Sequence, residues 1–125
     1  MSIKKVQVGN IECGSDELFV ISGPCVIEDE STMMKTAEML KEVSERLKFP
    51  IIYKSSFQKD NRSTADNYQG PGLDEGLKML QKIKDEFGFQ IISDVHYPDQ
   101  VEAAAEVLDV IQLPAYLVMQ TTLVQ

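Results

Sequence analysis

Apolar positions along this chain follow two alternating patterns. Short apolar runs recur four times, and each ends on polar residues. Leu18-Phe19-Val20-Ile21 passes into Ser22-Gly23-Pro24-Cys25, and Pro50-Ile51-Ile52-Tyr53 into Lys54-Ser55-Ser56. Gln90-Ile91-Ile92 passes into Ser93-Asp94-Val95-His96, and Asp109-Val110-Ile111 into Gln112-Leu113-Pro114. Runs of this length predict strands near 18–22, 50–54, 90–95 and 109–113. Apolar residues on both faces suit strands buried in a parallel sheet. Between the runs the period is helical. Met33, Ala37, Leu40, Val43 and Leu47 predict a helix over 28–48, with Ser31 as its N-cap. Leu73, Leu77, Leu80, Ile83 and Phe87 predict one over 73–87. Asp74 and Glu75 suit the dipole of its first turn, and Gly88 stops it. A third, short helix is expected over 98–107 with Val101, Ala104, Ala105 and Leu108 inward. One or two further helical turns follow Pro114.

Ahead of this alternation, residues 5–13 read as a hairpin. Val6 and Val8 point one way and Gln7 the other, Gly9-Asn10 makes the turn, and Ile11 resumes the run. The order is a hairpin (1–15) and then βα units (16–125) in a single domain spanning 1–125. Such alternation implies parallel strands joined by right-handed crossovers. The strand ends then gather on one rim, where ligands bind. Four parallel strands with helices on one side leave a face and two edges open. Either helices cover both faces as a doubly wound sheet, or the sheet belongs to a closed eight-stranded barrel of about 250 residues. On the second reading the chain is about the first four βα units, a half-barrel.

Composition narrows the function. With 125 residues, 43% hydrophobic and 26% charged, the chain suits one globular domain. No apolar stretch is long enough to span a membrane. Met1-Ser2-Ile3-Lys4-Lys5 lacks the apolar core of a signal peptide, so the expected compartment is the cytoplasm. A disulfide between Cys13 and Cys25 is not expected there. Net charge is −8, from 20 acids against 12 bases, and no basic stripe is present, so nucleic acid is not an expected partner. An anionic ligand must be met by a local basic cluster. No dinucleotide glycine fingerprint and no phosphate-loop lysine motif occur.

That local cluster follows the second strand. Lys54, Lys59 and Arg62 stand among Ser55, Ser56, Asn61, Ser63 and Thr64, in an irregular stretch over 54–72. Cations for a phosphate, with neutral donors and acceptors for hydroxyls, are what a phosphorylated polyol needs. A solvated polar loop is the equally weighted plain reading. Cys25 is a candidate ligand for a divalent transition metal, with His96 as a neighbour. A lone cysteine is more commonly buried and inert. His96 could donate to a substrate oxygen or cap its strand end. Asp94 could accept from a sugar hydroxyl or cap the following turn. The Gln112 amide could bind a carboxylate or be satisfied by backbone. Met33, Met34, Met39 and Met79 read as core filler.

Taken as an ordered set, several motifs resemble the 3-deoxy-8-phosphooctulonate synthase family of lipopolysaccharide (Kdo) biosynthesis. They are Ser22-Gly23-Pro24-Cys25, Lys54-Ser55-Ser56-Phe57, Lys59-Asp60-Asn61-Arg62-Ser63, Gly70-Pro71-Gly72-Leu73, Ser93-Asp94-Val95-His96 and Gln112-Leu113-Pro114-Ala115. The likeness covers about residues 15–120 in order and spacing. The heptulosonate-phosphate synthases of aromatic biosynthesis share the chemistry but fit Asn61-Arg62-Ser63 less well. The resemblance implies a (β/α)₈ barrel, usually a homotetramer. It also implies a transferase that condenses phosphoenolpyruvate with arabinose 5-phosphate and releases phosphate. By matching position, Ser56, Lys59 and Gln112 would lie on the phosphoenolpyruvate side. Lys54, Asn61 and Asp94 would lie near the pentose aldehyde and hydroxyls, and Arg62 and Ser63 would hold its phosphate. Cys25 stands at the metal-ligand position of the metal-dependent branch.

Departures from the family shape the remaining expectations. Four further strands, with more phosphate-binding cations and the His, Glu and Asp that complete the metal site, are not in the sequence. Met119 and Thr122 replace a family Arg and Asp, and Gln69 stands where Arg is common. The expectation is a catalytically incomplete half-barrel. The alternatives are a non-catalytic sugar-phosphate or phosphoenolpyruvate binder, or an assembly partner that pairs through its open edges.

Overall fold

The computed structural model describes residues 3–125. Met1 and Ser2, the start of the stretch read for a signal sequence and of the hairpin unit, lie outside the described residues. β1 (Val6–Val8) and β2 (Ile11–Cys13) pair antiparallel, with Val8 opposite Ile11. Gly9 takes the left-handed conformation that the two-residue turn requires, at φ 56°. Only the turn end of the hairpin is buried: Val8 and Ile11 are covered, whereas Val6 stays 53% exposed.

Four parallel strands form the sheet in sequence order: β3 (Val20–Ser22), β4 (Ile51–Lys54), β5 (Gln90–Asp94) and β6 (Val110–Gln112). The connecting helices are α1 (Glu30–Leu47), α2 (Leu73–Phe87) and α3 (Val101–Val107). They share one core with one side of the sheet. Met33 and Ala37 of α1, Leu80 and Ile83 of α2 and Ala104 of α3 pack with Ile51, Tyr53 and Ile91. Tyr53, fully buried there, donates its hydroxyl to the Met33 carbonyl at 3.1 Å. Burial drives its phenol far above the ordinary value. On the opposite side a smaller cluster joins Val8 and Ile11 of the hairpin to Ile52 and Ile92, with Phe19 and Val110 at its margin. The hairpin thus plugs one end of the inner face. α4 (Thr121–Val124) follows a 3₁₀ turn at Ala115–Leu117, and Leu117 and Leu123 close onto the helix-side core.

Several expectations shift in detail. Asp29, not Ser31, caps α1: its carboxylate accepts from the Thr32 hydroxyl at 2.7 Å and the Thr32 N–H at 2.9 Å. These bonds, the hydroxyl first, hold the Asp29 carboxyl below its usual value. Strands buried on both faces describe β4 and β5 only. β3 is an edge strand, with Ile21 47% exposed, and Leu18 precedes it in solvent. The third helix begins as a 3₁₀ turn at Pro98–Gln100, which rotates the following face, so Ala103 rather than Ala105 turns inward. Met39 is exposed and fills no core, unlike Met33, Met34 and Met79. Among the described residues no helix is long and apolar enough to cross a membrane.

Candidate functional site

Side chains on one face of a strand recur every second residue. On the inner face Ile52 is therefore followed by Lys54 and Ser56, and Ile92 by Asp94 and His96. Apolar residues give way to ionisable ones within one step of the pleat. The register Lys54↔Ile92, continued two residues, sets Ser56 opposite Asp94. Ser56 donates its hydroxyl to Asp94 Oδ1. Around the same carboxylate stand Lys54 Nζ at 3.7 Å, Lys59 Nζ at 3.8 Å and His96 Nε2 at 3.4 Å. Asp94 is 4% exposed and His96 2%. A buried carboxylate is tolerated only when paired and hydrogen-bonded, and two ammonium groups and a hydroxyl supply that. Nδ1 of His96 has no hydrogen-bond partner among the described residues, nor do the buried hydroxyls of Ser55 and Ser93.

The neighbouring strand ends close in on this cluster. β3 continues beyond Ser22 through an isolated pairing of Val26 with Ser56. Ser56 N–H donates to the Cys25 carbonyl at 3.4 Å, and Ile27 N–H to the Ser56 carbonyl at 3.0 Å. A β-carbon on Gly23 would overlap the Lys54 carbonyl, so this approach requires glycine. On the other flank Gln112 is Asp94's partner in register, and its carbonyl accepts from Val95 N–H at 3.0 Å.

The stretch after β4 is folded back on itself. Phe57 is fully buried, Gly72 N–H donates to its carbonyl at 3.0 Å, and Lys59 N–H donates to the Gln69 carbonyl at 2.7 Å. Tyr68 donates its hydroxyl to the Ile27 carbonyl at 2.9 Å, tying the loop to the β3 side. Arg62 Nε donates to the Tyr68 carbonyl at 3.1 Å. Asn61 and Ser63 are exposed, and Ser63 Oγ accepts from the Asn67 amide at 3.5 Å.

Lys54, Ser56, Lys59, Asp94 and His96 thus converge, with Gln112 beside them. Asn61, Arg62 and Ser63 lie on the solvent-facing arm of the loop and make no hydrogen bond or ion pair to Asp94 among the described residues. Cys25 is exposed at the β3 end. It does not by itself make a metal centre: among the described residues no three His, Cys, Asp or Glu side chains converge to hold an ion.

Sequence reasoning missed a second set of polar residues between the loop and the β5 end. Gln100, nearly buried, accepts on Oε1 from His96 N–H at 3.0 Å and Tyr97 N–H at 3.3 Å. Its amide nitrogen donates to Gln58 Oε1 at 2.8 Å. Gln58 donates to Asp60 Oδ1 at 2.7 Å, and Tyr97 donates its hydroxyl to Asp60 Oδ2 at 2.6 Å. Burial alone would push the Asp60 carboxyl up. The bonds from Tyr97 and Gln58, with His96 nearby, outweigh it and hold the group below its ordinary value. Asp60 in turn pushes the Tyr97 phenol up. Tyr116 is raised by burial first and then by Asp60 and Asp94. The only sequence signal for Gln100 was its place three residues after Tyr97, behind Pro98, where a side chain can reach back to free N–H groups.

Comparison with known proteins gives the family. The sequence profile of the DAHP synthetase I family matches residues 2–125. The chain is 47% identical over 123 residues to a protein of Geotalea daltonii named 2-dehydro-3-deoxyphosphooctonate aldolase, covering 98% of this chain and 45% of that protein. A protein of the same name from Shewanella amazonensis is 48% identical over 125 residues, 99% of this chain and 44% of its own length. One from Acidithiobacillus ferrooxidans is 49% identical over 107 residues, 86% and 38% of the two chains. The chain spans about half the length of the curated relatives it matches.

Proposed function

The chain belongs to the DAHP synthetase I family, among relatives named 2-dehydro-3-deoxyphosphooctonate aldolase, and on that premise we propose that its rim binds phosphoenolpyruvate beside arabinose 5-phosphate. The reaction of the whole enzyme would join the methylene carbon of the first to the aldehyde carbon of the second, consume one water and release inorganic phosphate. The sheet would be about four βα units of a (β/α)₈ barrel wall. Its sequential strand order and one-sided helices support that reading over a doubly wound sheet, whose strand order reverses.

The single observation that carries the proposal is the placement of Lys54 and Lys59 within 4 Å of one buried carboxylate at adjoining strand ends. Joining two phosphorylated molecules brings several negative charges together. The site must neutralise them and hold the reacting carbons in line. Lys59 and Ser56, with Gln112, would face the phosphoenolpyruvate phosphate and carboxylate. Lys54, Asn61 and Asp94 would face the pentose aldehyde and hydroxyls, and Arg62 and Ser63 its phosphate. Asp94 would hold both ammonium groups within 4 Å until an anionic ligand competes for them. His96 has one nitrogen toward Asp94 and an Nδ1 without a partner among the described residues, so it could donate to or accept from a substrate oxygen. Cys25 would be one metal donor at most.

Calorimetric titration tests the reading. The chain should bind phosphoenolpyruvate, and Lys59→Ala should weaken it. Arg62→Ala should weaken arabinose 5-phosphate, and equal affinity before and after would count against the pentose-phosphate assignment. With both substrates present, we expect binding without phosphate release by the 125-residue chain. Sustained release would overturn that expectation.

A further inference from the structure

The four polar side chains between the loop and the β5 end form a closed ring. Tyr97 N–H donates to Gln100 Oε1, Gln100 Nε2 to Gln58 Oε1, Gln58 Nε2 to Asp60 Oδ1, and the Tyr97 hydroxyl to Asp60 Oδ2. The direction of each bond is forced by the one before it. Two backbone N–H groups require an oxygen at Gln100 Oε1, so its nitrogen must face Gln58. The Gln58 oxygen is then taken, and its nitrogen must face an acceptor, which Asp60 supplies. Flipping either amide would set donor against donor.

Lys59 lies in sequence between two members of this ring, and its own N–H is held by the Gln69 carbonyl at 2.7 Å. The residues on both sides of Lys59 are therefore tied through their side chains to the turn that carries His96. From this we infer that Gln58, Asp60, Tyr97 and Gln100 are positioning residues that fix the Lys59 ammonium against Asp94. The inference deepens the proposed function and rests on its reading of Lys59 as the group that meets phosphoenolpyruvate. The four bonds of the ring cross from the β4 loop to the β5 end without using the Asp94 carboxylate. It can therefore hold the geometry while the lysines exchange Asp94 for a ligand.

The test uses the 125-residue chain without ligand. Tyr97→Phe removes one hydroxyl from a half-exposed side chain, and Gln100→Glu keeps the acceptor but abolishes the donor to Gln58. Each should speed hydrogen exchange at the Lys59 amide about tenfold, and leave the α2 amides unchanged. Each should also move the Lys59 ¹⁵Nζ resonance, assigned by its loss in Lys59→Arg, toward that of an exposed lysine. An unmoved Lys59 amide and resonance in Tyr97→Phe would overturn the inference. So would an equal rise in exchange across α2, which would mark a general loss of structure. If Gln100→Glu does not fold, Tyr97→Phe alone decides. Phosphoenolpyruvate titration of the same variants separates the two readings. Loosened Lys59 with unchanged affinity would uphold the ring and defeat the substrate role of Lys59.

Discussion

The two ends of the sheet's inner face are built from the same strands and do opposite things. At one end Ile52 and Ile92 pack dry against Val8 and Ile11 of the hairpin. One pleat further on, Lys54 and Asp94 start a polar cluster that holds three cation-capable groups around one carboxylate. The first end gains stability from apolar burial. The second gathers charges around one buried carboxylate, the groups that the proposed function sets against a ligand. Stability and chemistry are thus separated along the strand axis, so a substitution at one end should leave the other readable.

The largest effect should come from the dry end. Ile92→Ala opens a cavity under the hairpin and should cost about 2–4 kcal/mol in urea unfolding, with phosphoenolpyruvate affinity unchanged in the folded fraction. A normal stability would show that the hairpin does not seal this face. Next is Asp94→Asn, which keeps the shape but leaves Lys54 and Lys59 facing an amide. Because both lysines are partly open to water, the cost should be about 1–3 kcal/mol, and binding should be lost. Lys59→Met should change stability by about 1 kcal/mol or less while weakening phosphoenolpyruvate at least about tenfold. A large stability loss without an affinity change would erase the distinction between the two ends.

The smallest effect lies away from both ends, at the α1 cap. The Asp29 carboxyl sits below its ordinary 3.8 in the folded chain. Its contribution is therefore complete above that value and is lost as pH falls through the lower folded value. Asp29→Ala should lower the thermal midpoint slightly at pH 7, and the gap should narrow as pH falls below 3.8. A gap that persists at pH 2 would mean that the carboxylate's charge is not what caps the helix.

Much of this was legible in the sequence because period and spacing are local. Leu73 to Phe87 marked α2 to the residue, and Gly9-Asn10 marked the hairpin turn. Lys54, Ser56, Asp94 and His96 were legible because they continue strands whose apolar run had just ended. The edge exposure of Ile21 was not, since strand order decides it and the run itself looks the same as in β4. The choice of Asp29 over Ser31 turned on where α1 begins, which a helical stripe leaves open by a residue or two. The ring of Gln58, Asp60, Tyr97 and Gln100 was invisible because it joins segments some forty residues apart. Neutral amides carry no pattern that points so far along a chain.

The alternation that sets Ile92, Asp94 and His96 on one side and Ile91, Ser93 and Val95 on the other has a further cost. Insertion or loss of one residue within β5 would exchange the two sets. A carboxylate and an imidazole would then be driven among Met33, Leu80 and Ala104, while isoleucine and valine would line the rim. A length change there would therefore abolish the polar cluster and break the helix layer in one event, whereas any single replacement reaches only one of them.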